Sequence, residues 1–362
     1  MNSTAKTLFP TGVGIALAAA ALFGASTPFA KLLLGGEKLS PTLLAGLLYL
    51  GSGGGLAMFY FARGQKQTEA PLARTDWPWL AGAIGFGGVL GPLLLMWGLS
   101  VTPATTASLL LNFEGVFTAL LAWFLFRENF DKRIALGMIL ILSGGVLLSW
   151  QGGTLKIPVG ALAVIGACLC WGIDNNLTQK VSGGDPVQIT MTKGLVAGGV
   201  NTALALATGA TWPSPPVLAG ALVVGLAGYG LSLTLFVLAL RHIGTARTGA
   251  YFSVAPFVGA AISILLLREA ISPLFLVAGV LMAAGVWLHL SESHVHDHTH
   301  EPLAHSHRHV HDAHHQHEHA TNVNLDEPHS HQHIHEPITH AHPHFPDIHH
   351  RHEHTHDAEP ST

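Results

Sequence analysis

From residue 11 to residue 290 the chain consists of apolar runs, each close to the length of a membrane-crossing helix. A helix needs about 20 mostly apolar residues to cross the hydrocarbon core of a bilayer. Short stretches rich in proline, glycine or charge separate the runs, as expected of loops between helices. The pattern predicts an all-α polytopic membrane protein with ten transmembrane helices, at Thr11–Leu34, Ser40–Ala62, Trp77–Val101, Pro103–Phe126, Ile134–Trp150, Ile157–Lys180, Val187–Gly209, Pro215–Leu240, Thr245–Leu267 and Pro273–Leu290.

The two halves of this apolar region resemble each other. Leu99–Glu128 aligns with Leu240–Glu269 at an offset of 141 residues. Each half holds five runs, an odd number, so the second copy must cross the membrane in the opposite direction. The sequence therefore predicts two inverted five-helix repeats, residues 1–150 and 151–290, followed by a tail of residues 291–362. Matching pairs include Arg127-Glu128 with Arg268-Glu269 and Phe23-Gly24 with Trp171-Gly172.

The distribution of positive charge predicts the orientation. With the N-terminus inside, the inner connections carry ten lysines and arginines and the outer connections carry four. Cytoplasmic loops of membrane proteins are enriched in these residues. We therefore expect both termini in the cytoplasm and the chain in a bacterial-type inner (plasma) membrane, with lipid as a constant partner.

Glu114 is an ionisable residue that the sequence places near the bilayer midplane. It lies eleven residues into the fourth run, at a depth where such a side chain costs roughly 2.5–3.5 kcal/mol to insert. One interpretation is a functional carboxylate that exchanges protons or pairs with a cation in a cavity, with Asn112 nearby. The alternative is a buried glutamate whose hydrogen bonds specify helix packing.

The sixth run contains three consecutive polar residues, Asp174, Asn175 and Asn176, shortly after Trp171. Their donors and acceptors would go unpaired against lipid, so they must face a cavity, meet another helix or unwind the helix locally. Asp174 and Lys193 both fall in the cytoplasmic third of their runs, which predicts that they lie close together, as an inner gate or as structural neutralisation. Tyr251 and Trp97 are candidate aromatic walls of the cavity, although lipid-facing or core positions are commoner for such residues. The predicted substrate cavity comprises Asn112, Glu114, Trp171, Asp174, Asn175, Asn176, Lys193 and Tyr251.

The sequence contains no arrangement typical of catalysis or of nucleic-acid binding. We find no nucleophile beside a base, no glycine-rich phosphate loop after a strand and no nucleic-acid-binding module. Cys168 and Cys170 stand about 200° apart around a helix and fit small core residues. We therefore expect no enzyme activity, no required cofactor and no nucleic-acid partner.

The tail from Ser291 onward differs in composition and charge from the preceding residues. It holds 24 of the 26 histidines and carries a formal charge of −10, whereas the preceding residues carry +6. The tail is itself duplicated at an offset of 35, since His300–His309 recurs as His335–His344. It lacks the apolar residues that a core requires, so we expect it to be disordered when free.

Dense histidine predicts metal binding, because neutral imidazole is a strong ligand for Zn²⁺, Ni²⁺, Co²⁺ and Cu²⁺. Two alternatives are a low-complexity expansion that only hydrates the protein, and a pH response in which the tail turns basic below about pH 6. The predicted metal ligands are His294, His296, His298, His300, His305, His307, His309, His311, His314, His315, His317, His319, His329, His331, His333 and His335.

Several of these features resemble the EamA-type drug/metabolite transporter (DMT) superfamily. They are the ten spans in two five-span copies, the spacing of Gly24 and Pro28 in the first span, the short connection Thr102-Pro103-Ala104, and the Arg127-Glu128 pair. The resemblance covers roughly residues 11–290. It implies helices arranged around a central cavity that binds a small solute.

This resemblance implies a secondary transporter that exports a small metabolite or drug-like solute by alternating access, and the histidine content of the tail adds metal-binding regulation. Two alternatives stay open. In one, the cargo is a divalent metal (zinc, nickel or cobalt) or a metal chelate that the tail delivers. In the other, the protein is a membrane-anchored metal sensor or buffer without transport.

Overall fold

The protein is described by a computed structural model that covers residues 11–36, 39–62, 72–126, 132–148, 150–151, 154–155, 158–290, 294–299, 303–309, 329–335 and 339–344. Each of the ten predicted runs contains helical structure, but one helix continues through residues 241–244, where the sequence predicted a connection between the eighth and ninth runs. The α-helices are α1 (Thr11–Gly36), α2 (Pro41–Ala62), α3 (Trp77–Ala83), α4 (Gly91–Val101), α5 (Ala104–Leu110), α6 (Phe113–Phe126), α7 (Lys132–Leu148), α8 (Val159–Val181), α9 (Pro186–Ala207), α10 (Pro215–Gly225), α11 (Ser232–Phe252), α12 (Ala255–Leu267) and α13 (Pro273–Leu290). A 3-10 turn at Arg74–Asp76 precedes α3.

Seven helical stretches in the described residues are long and apolar enough to cross a membrane: Gly12–Gly36, Pro41–Ala62, Arg74–Val101, Ala104–Leu121, Val159–Val181, Pro215–Leu240 and Thr248–Leu267. Two more apolar helices, Ala135–Leu148 and Pro273–Leu288, are shorter. Helix α9 has 22 residues but carries buried polar side chains such as Lys193 and Asn201. The chain is thus a polytopic helical membrane protein.

The most extensive helix contacts join the first half of the chain to the second. Helix α2 packs along α9, α7 along α13, α1 against α11 and α12, and α8 against α4 and α6. The two sequence copies therefore interleave around one core and do not form separate bundles. Small residues allow the closest approach, since an added Cβ at Gly194 would overlap the backbone of Gly53.

Irregular helical geometry recurs with the sequence repeat. A π-helical segment at Ile84–Leu90 separates α3 from α4, and another at Leu226–Leu231 separates α10 from α11. The helix is also interrupted at Leu111 and Asn112 between α5 and α6, and again between α11 and α12. These features recur at offsets of 141 or 142 residues, so the duplication seen in the sequence extends to local backbone geometry.

The strands of the structure are short and lie outside the helical core. Strand β1 (Trp150–Gln151) pairs with β2 (Thr154–Leu155) between α7 and α8. In the tail, β3 (His294–Thr299) pairs antiparallel with β6 (Thr339–His344), and β4 (Leu303–His309) pairs antiparallel with β5 (His329–His335).

These tail strands differ from the predicted disorder. The physical reason is the alternation of histidine with other residues, because a period of two is the period of a strand. Six predicted metal ligands lie outside the described residues, namely His300, His311, His314, His315, His317 and His319. The Arg127-Glu128 pair also lies outside them.

Candidate functional site

A small cavity lies among α1, α2, α6, α8 and α11, where the two halves of the chain meet. Its volume is about 20 Å³, and a cavity needs about 10–15 Å³ to hold one water molecule. It therefore has room for about one water. The lining residues are Phe23, Tyr49, Glu114, Trp171, Asp174, Asn175, Leu233, Phe236 and Phe252.

Asp174 and Lys193 form a buried ion pair at this cavity, and their predicted proximity is confirmed. The Lys193 Nζ lies 2.6 Å from Asp174 Oδ1 and 2.8 Å from Oδ2. Thr178, one turn along α8, donates its hydroxyl to Asp174 Oδ1 at 2.8 Å and accepts from Lys193 at 3.2 Å. The two charged side chains are 9% and 7% exposed, so each depends on the other for neutralisation.

Gly87 permits this ion pair to sit against the first π-helical segment. A Cβ at residue 87 would overlap the Asp174 carboxylate. The Gly87 carbonyl accepts hydrogen bonds from the Tyr49 hydroxyl at 2.8 Å and from the Trp171 indole at 2.9 Å. The segment thus fixes both the carboxylate and two aromatic side chains of the cavity.

Glu114 is the second carboxylate of the cavity, and it has a different partner. It lies in the first turn of α6, directly after the interruption at Leu111 and Asn112. Its Oε1 accepts a hydrogen bond from the Asn175 amide at 2.9 Å, and the same amide lies 3.2 Å from the Thr118 hydroxyl. Within the described part of the chain no cationic side chain pairs with Glu114. We call Glu114, Asp174, Asn175, Thr178 and Lys193 the cavity cluster.

Aromatic rings close the other side of the cavity around Phe23. The Phe23 ring lies edge-on to Trp171 at 5.7 Å and contacts Phe252 at 5.2 Å, and Phe252 contacts Phe236 at 4.8 Å. The sequence did not predict five of the lining residues, namely Phe23, Tyr49, Leu233, Phe236 and Phe252. The signal for Phe23 was the alignment of Phe23-Gly24 with Trp171-Gly172, because the structure brings these equivalent residues into contact.

Four residues of the predicted cavity do not line it, namely Asn112, Asn176, Tyr251 and Lys193, the partner of Asp174. Asn112 is buried at the helix interruption, where its amide donates to the Leu109 carbonyl at 2.9 Å. Asn176 donates to the Gly172 carbonyl at 2.8 Å. Tyr251 is half-buried, one residue before the lining residue Phe252. Trp97 is 45% exposed on the surface, so its interpretation as a cavity wall is wrong.

A second group of charges, which we call the helix-end cluster, surrounds the turn between α4 and α5. The Glu269 carboxylate accepts from the backbone N–H groups of Ala104 and Thr105 at 2.8 and 2.9 Å, and from the Thr105 hydroxyl at 2.7 Å. Lys31 donates to the carbonyls of Leu99 and Thr102 at 2.6 and 2.9 Å.

Each charge of the helix-end cluster matches the end of the helix that it caps. The start of a helix carries free N–H groups and favours an anion, and its end carries free carbonyls and favours a cation. Glu269 comes from the second half of the chain and caps α5 of the first half.

Arg268, the residue before Glu269, has a left-handed backbone with φ of 51°. A cavity of about 540 Å³ lies beside this cluster.

Comparisons with known proteins decide the family. A model of the EamA-like transporter family matches residues 10–150 and again residues 158–291. The chain belongs to the EamA-like transporter family. The two matches coincide with the two sequence copies, and the chain is accordingly a membrane transporter.

Relatives of this EamA-like transporter include one transporter without an assigned solute and one named exporter. An "Uncharacterized transporter" of Methanothermobacter thermautotrophicus is 32% identical over 229 residues, 61% of this chain and 67% of the relative. A "Probable terminal-alkyne amino-acid exporter" of Streptantibioticus cattleyicolor is 29% identical over 235 residues, 63% of this chain and 77% of the relative.

A shorter relative and one solved structure complete the comparison. A "Probable 4-amino-4-deoxy-L-arabinose-phosphoundecaprenol flippase subunit ArnE" of Pseudomonas fluorescens is 37% identical over 87 residues, 24% of this chain and 74% of the relative. One crystal structure aligns with a TM-score of 0.59 at 18% identity, covering 77% of this chain and 96% of the other. This last likeness concerns the fold alone.

The sequence of this EamA-like transporter predicts that tail histidines bind metal. Among the side chains that the structure describes, no group of three or more His, Cys, Asp or Glu is placed to hold a metal ion. The tail histidines are described by their strand positions. Three histidines that the predicted set omitted, His340, His342 and His344, lie opposite predicted ones in the β3–β6 pair.

Proposed function

We propose that this EamA-like transporter exports a small organic solute bearing a protonated amino group, by alternating access through the cavity at Glu114. In this proposal the ten helical runs cross the plasma membrane as two inverted repeats with both termini in the cytoplasm. The recurrence of the π-helical segments and helix interruptions at offsets of 141 or 142 residues supports two structurally equivalent halves. Net export is supported by the exporter and flippase names of two relatives.

The observation that carries the substrate class is the pairing of charges in the cavity. Lys193 neutralises Asp174, whereas Glu114 has an amide as its partner among the described residues. An ammonium group beside Glu114 would supply the missing positive charge. The rings of Phe23, Trp171 and Phe252 would stabilise the same group and its apolar body, since aromatic faces attract cations. The names of two relatives also describe amino-bearing molecules.

Transport by this route requires the cavity to open, because the present space holds about one water. In our proposal the helix-end cluster lies at the outer side of the membrane and holds that side closed. Glu269 ties the second half of the chain to the start of α5, so movement of one half against the other must break its hydrogen bonds. The neighbouring cavity of about 540 Å³ would then form the outer vestibule.

Binding to the purified full-length protein in nanodiscs tests the substrate class. We use phenethylamine as the cationic probe and 2-phenylethanol as its neutral analogue. The wild type is expected to bind the amine at least tenfold more tightly than the alcohol, and Glu114→Gln should abolish that preference. Asp76→Asn, which removes a carboxylate at the exposed start of α3, is the matched control and should behave as the wild type. Unchanged amine preference in Glu114→Gln would overturn the assignment.

A cross-link tests the closure at the helix-end cluster. Thr105→Cys and Glu269→Cys are combined in a background with Cys168→Ala and Cys170→Ala, and solute exchange is measured in proteoliposomes before and after oxidation. We expect oxidation to stop exchange and reductant to restore it. Thr105→Cys alone is the control. Continued exchange with the cross-link fully formed would show that these two positions need not separate during transport.

In this proposal the tail binds divalent transition metal and regulates the carrier. A divalent metal or metal chelate as cargo is the alternative, and a sensor without transport is another. Metal accumulation in cells that express the full-length, tail-deleted and Glu114→Gln proteins separates them. Metal cargo predicts lower efflux in both altered proteins, whereas a sensor predicts that only the tail deletion has an effect. An organic cargo predicts no direct metal flux in any of the three.

A further inference from the structure

The paired strands of the tail set histidine opposite histidine at three alternate positions in each ladder. In the first ladder, β3 with β6, the opposite pairs are His294 with His344, His296 with His342 and His298 with His340. In the second ladder, β4 with β5, they are His305 with His333, His307 with His331 and His309 with His329. Alternate residues of a strand share a face of the ladder. Each ladder therefore places three histidine pairs on one face.

This register is specific. A shift of one residue would set every histidine opposite a spacer residue and move it to the other face. Both ladders keep the same register, because residues 300–302 and 336–338 separate them by equal lengths on the two chain segments. The alternation of histidine in all four strands and the strand pairing therefore agree with each other.

The spacing of the pairs suits a tetrahedral metal ion. Residues directly opposite in an antiparallel pair have Cβ atoms about 4.5–5.5 Å apart, and neighbouring pairs are separated by about 6.5–7 Å along the strand. Four imidazoles on such a lattice can converge on one ion at the Zn–N distance of about 2.0–2.1 Å.

We propose that two adjacent histidine pairs of each ladder bind one divalent zinc-class ion, so that the full tail binds two ions tightly, one for each ladder. The central pair of a ladder, His296 with His342 or His307 with His331, belongs to either possible set of four. Its loss therefore removes the site of that ladder. Metal requires neutral imidazole, so acidification should release both ions. This inference rests on the metal binding proposed above for the tail, and it does not depend on the identity of the transported solute.

Counting tightly bound ions tests the proposal. Zinc ion is titrated into the purified full-length protein in detergent at neutral pH, in competition with a chromophoric chelator. The wild type is expected to bind two ions tightly. His296→Gln should bind one, and the same-ladder double variant His296→Gln/His342→Gln should still bind one. The cross-ladder double variant His296→Gln/His307→Gln should bind none.

A control variant and a contrary outcome complete this test. The double variant His317→Gln/His319→Gln removes two histidines outside the four strands and should keep both ions. If zinc capacity instead depends only on how many histidines are removed, the same-ladder, cross-ladder and control variants will match one another. That result would overturn the ladders and leave a tail that binds metal without fixed pairing. Far-ultraviolet circular dichroism of each variant checks that the helical part is unchanged.

Discussion

The cavity cluster and the helix-end cluster hold charges inside an apolar protein in two different ways. In the cavity cluster, Asp174 and Lys193 neutralise each other directly across α8 and α9. In the helix-end cluster, Glu269 and Lys31 each contact the backbone at a break between helices. A direct ion pair depends on both partners, whereas a cap depends on a helix end that is present in any case. Removing one charged side chain should therefore lower the folding free energy more in the cavity cluster than in the helix-end cluster.

The largest effect is expected when the cavity ion pair loses one member. Asp174→Asn or Lys193→Met leaves an uncompensated buried charge, which costs about 3–5 kcal/mol of folding free energy. The midpoint of thermal unfolding in detergent should fall sharply for each single variant and recover in part for the double variant. Equal losses in the single and double variants would mean that the pair does not act as a unit.

A steric change at the same cluster should have the next largest effect. Gly87→Ala places a methyl group on the Asp174 carboxylate and should cost about 1–3 kcal/mol, the usual range for overpacking. Gly85→Ala is the matched control in the same π-helical segment, because a Cβ there has open space. The midpoint of thermal unfolding should be clearly lower for Gly87→Ala than for Gly85→Ala. Similar midpoints would show that Asp174 does not lie against Gly87.

In the helix-end cluster, Glu269→Gln keeps one acceptor oxygen but removes the charge and brings an NH₂ group toward N–H donors. We expect a loss of about 1–2 kcal/mol, typical of a helix cap. The variant should also raise the reaction of a cysteine placed at Thr106 with an impermeant thiol reagent added from outside. Thr106→Cys in the wild-type background is the reference, and equal reaction rates would contradict the closure.

The smallest loss of folding free energy is expected when Lys31 is replaced. Lys31→Met removes a cation from carbonyls at a helix end, an interaction of about 0.3–1 kcal/mol. Lys31→Arg should restore most of that loss because it keeps the charge. Chemical or thermal unfolding measured side by side with Glu269→Gln would rank the two caps. A loss at Lys31 as large as that at Asp174 would remove the distinction between pairing and capping.

Much of the architecture followed from the residues alone, because lipid limits the choices. Apolar runs predicted the helices, whereas the repeated irregularities of the backbone were not predicted, although they recur at nearly the offset between the two sequence copies. Asp174 and Lys193 could be paired from sequence since two opposite charges at similar depth have few other means of neutralisation. The roles assigned to Glu114 and to the tail histidines stay predictions.

Other features had no readable signal in the chain. Phe236 and Phe252 resemble any aromatic residue of an apolar helix, and only packing shows that they face a cavity. Glu269 caps a helix that begins 165 residues earlier, and the sequence marks it only as a charge at the end of a span. Trp97 was misplaced for the same reason, because apolar composition does not distinguish lipid-facing from cavity-facing positions.

The sequence by itself determined that this chain is a helical membrane protein with a duplicated core and a histidine-rich tail, because hydrophobic length and composition are local properties. Only the tertiary structure decided which charges meet, which glycines admit a neighbouring carboxylate and which rings surround Glu114. Those contacts join helices that are distant along the chain. They depend on how helix faces pack against one another, which no single segment specifies.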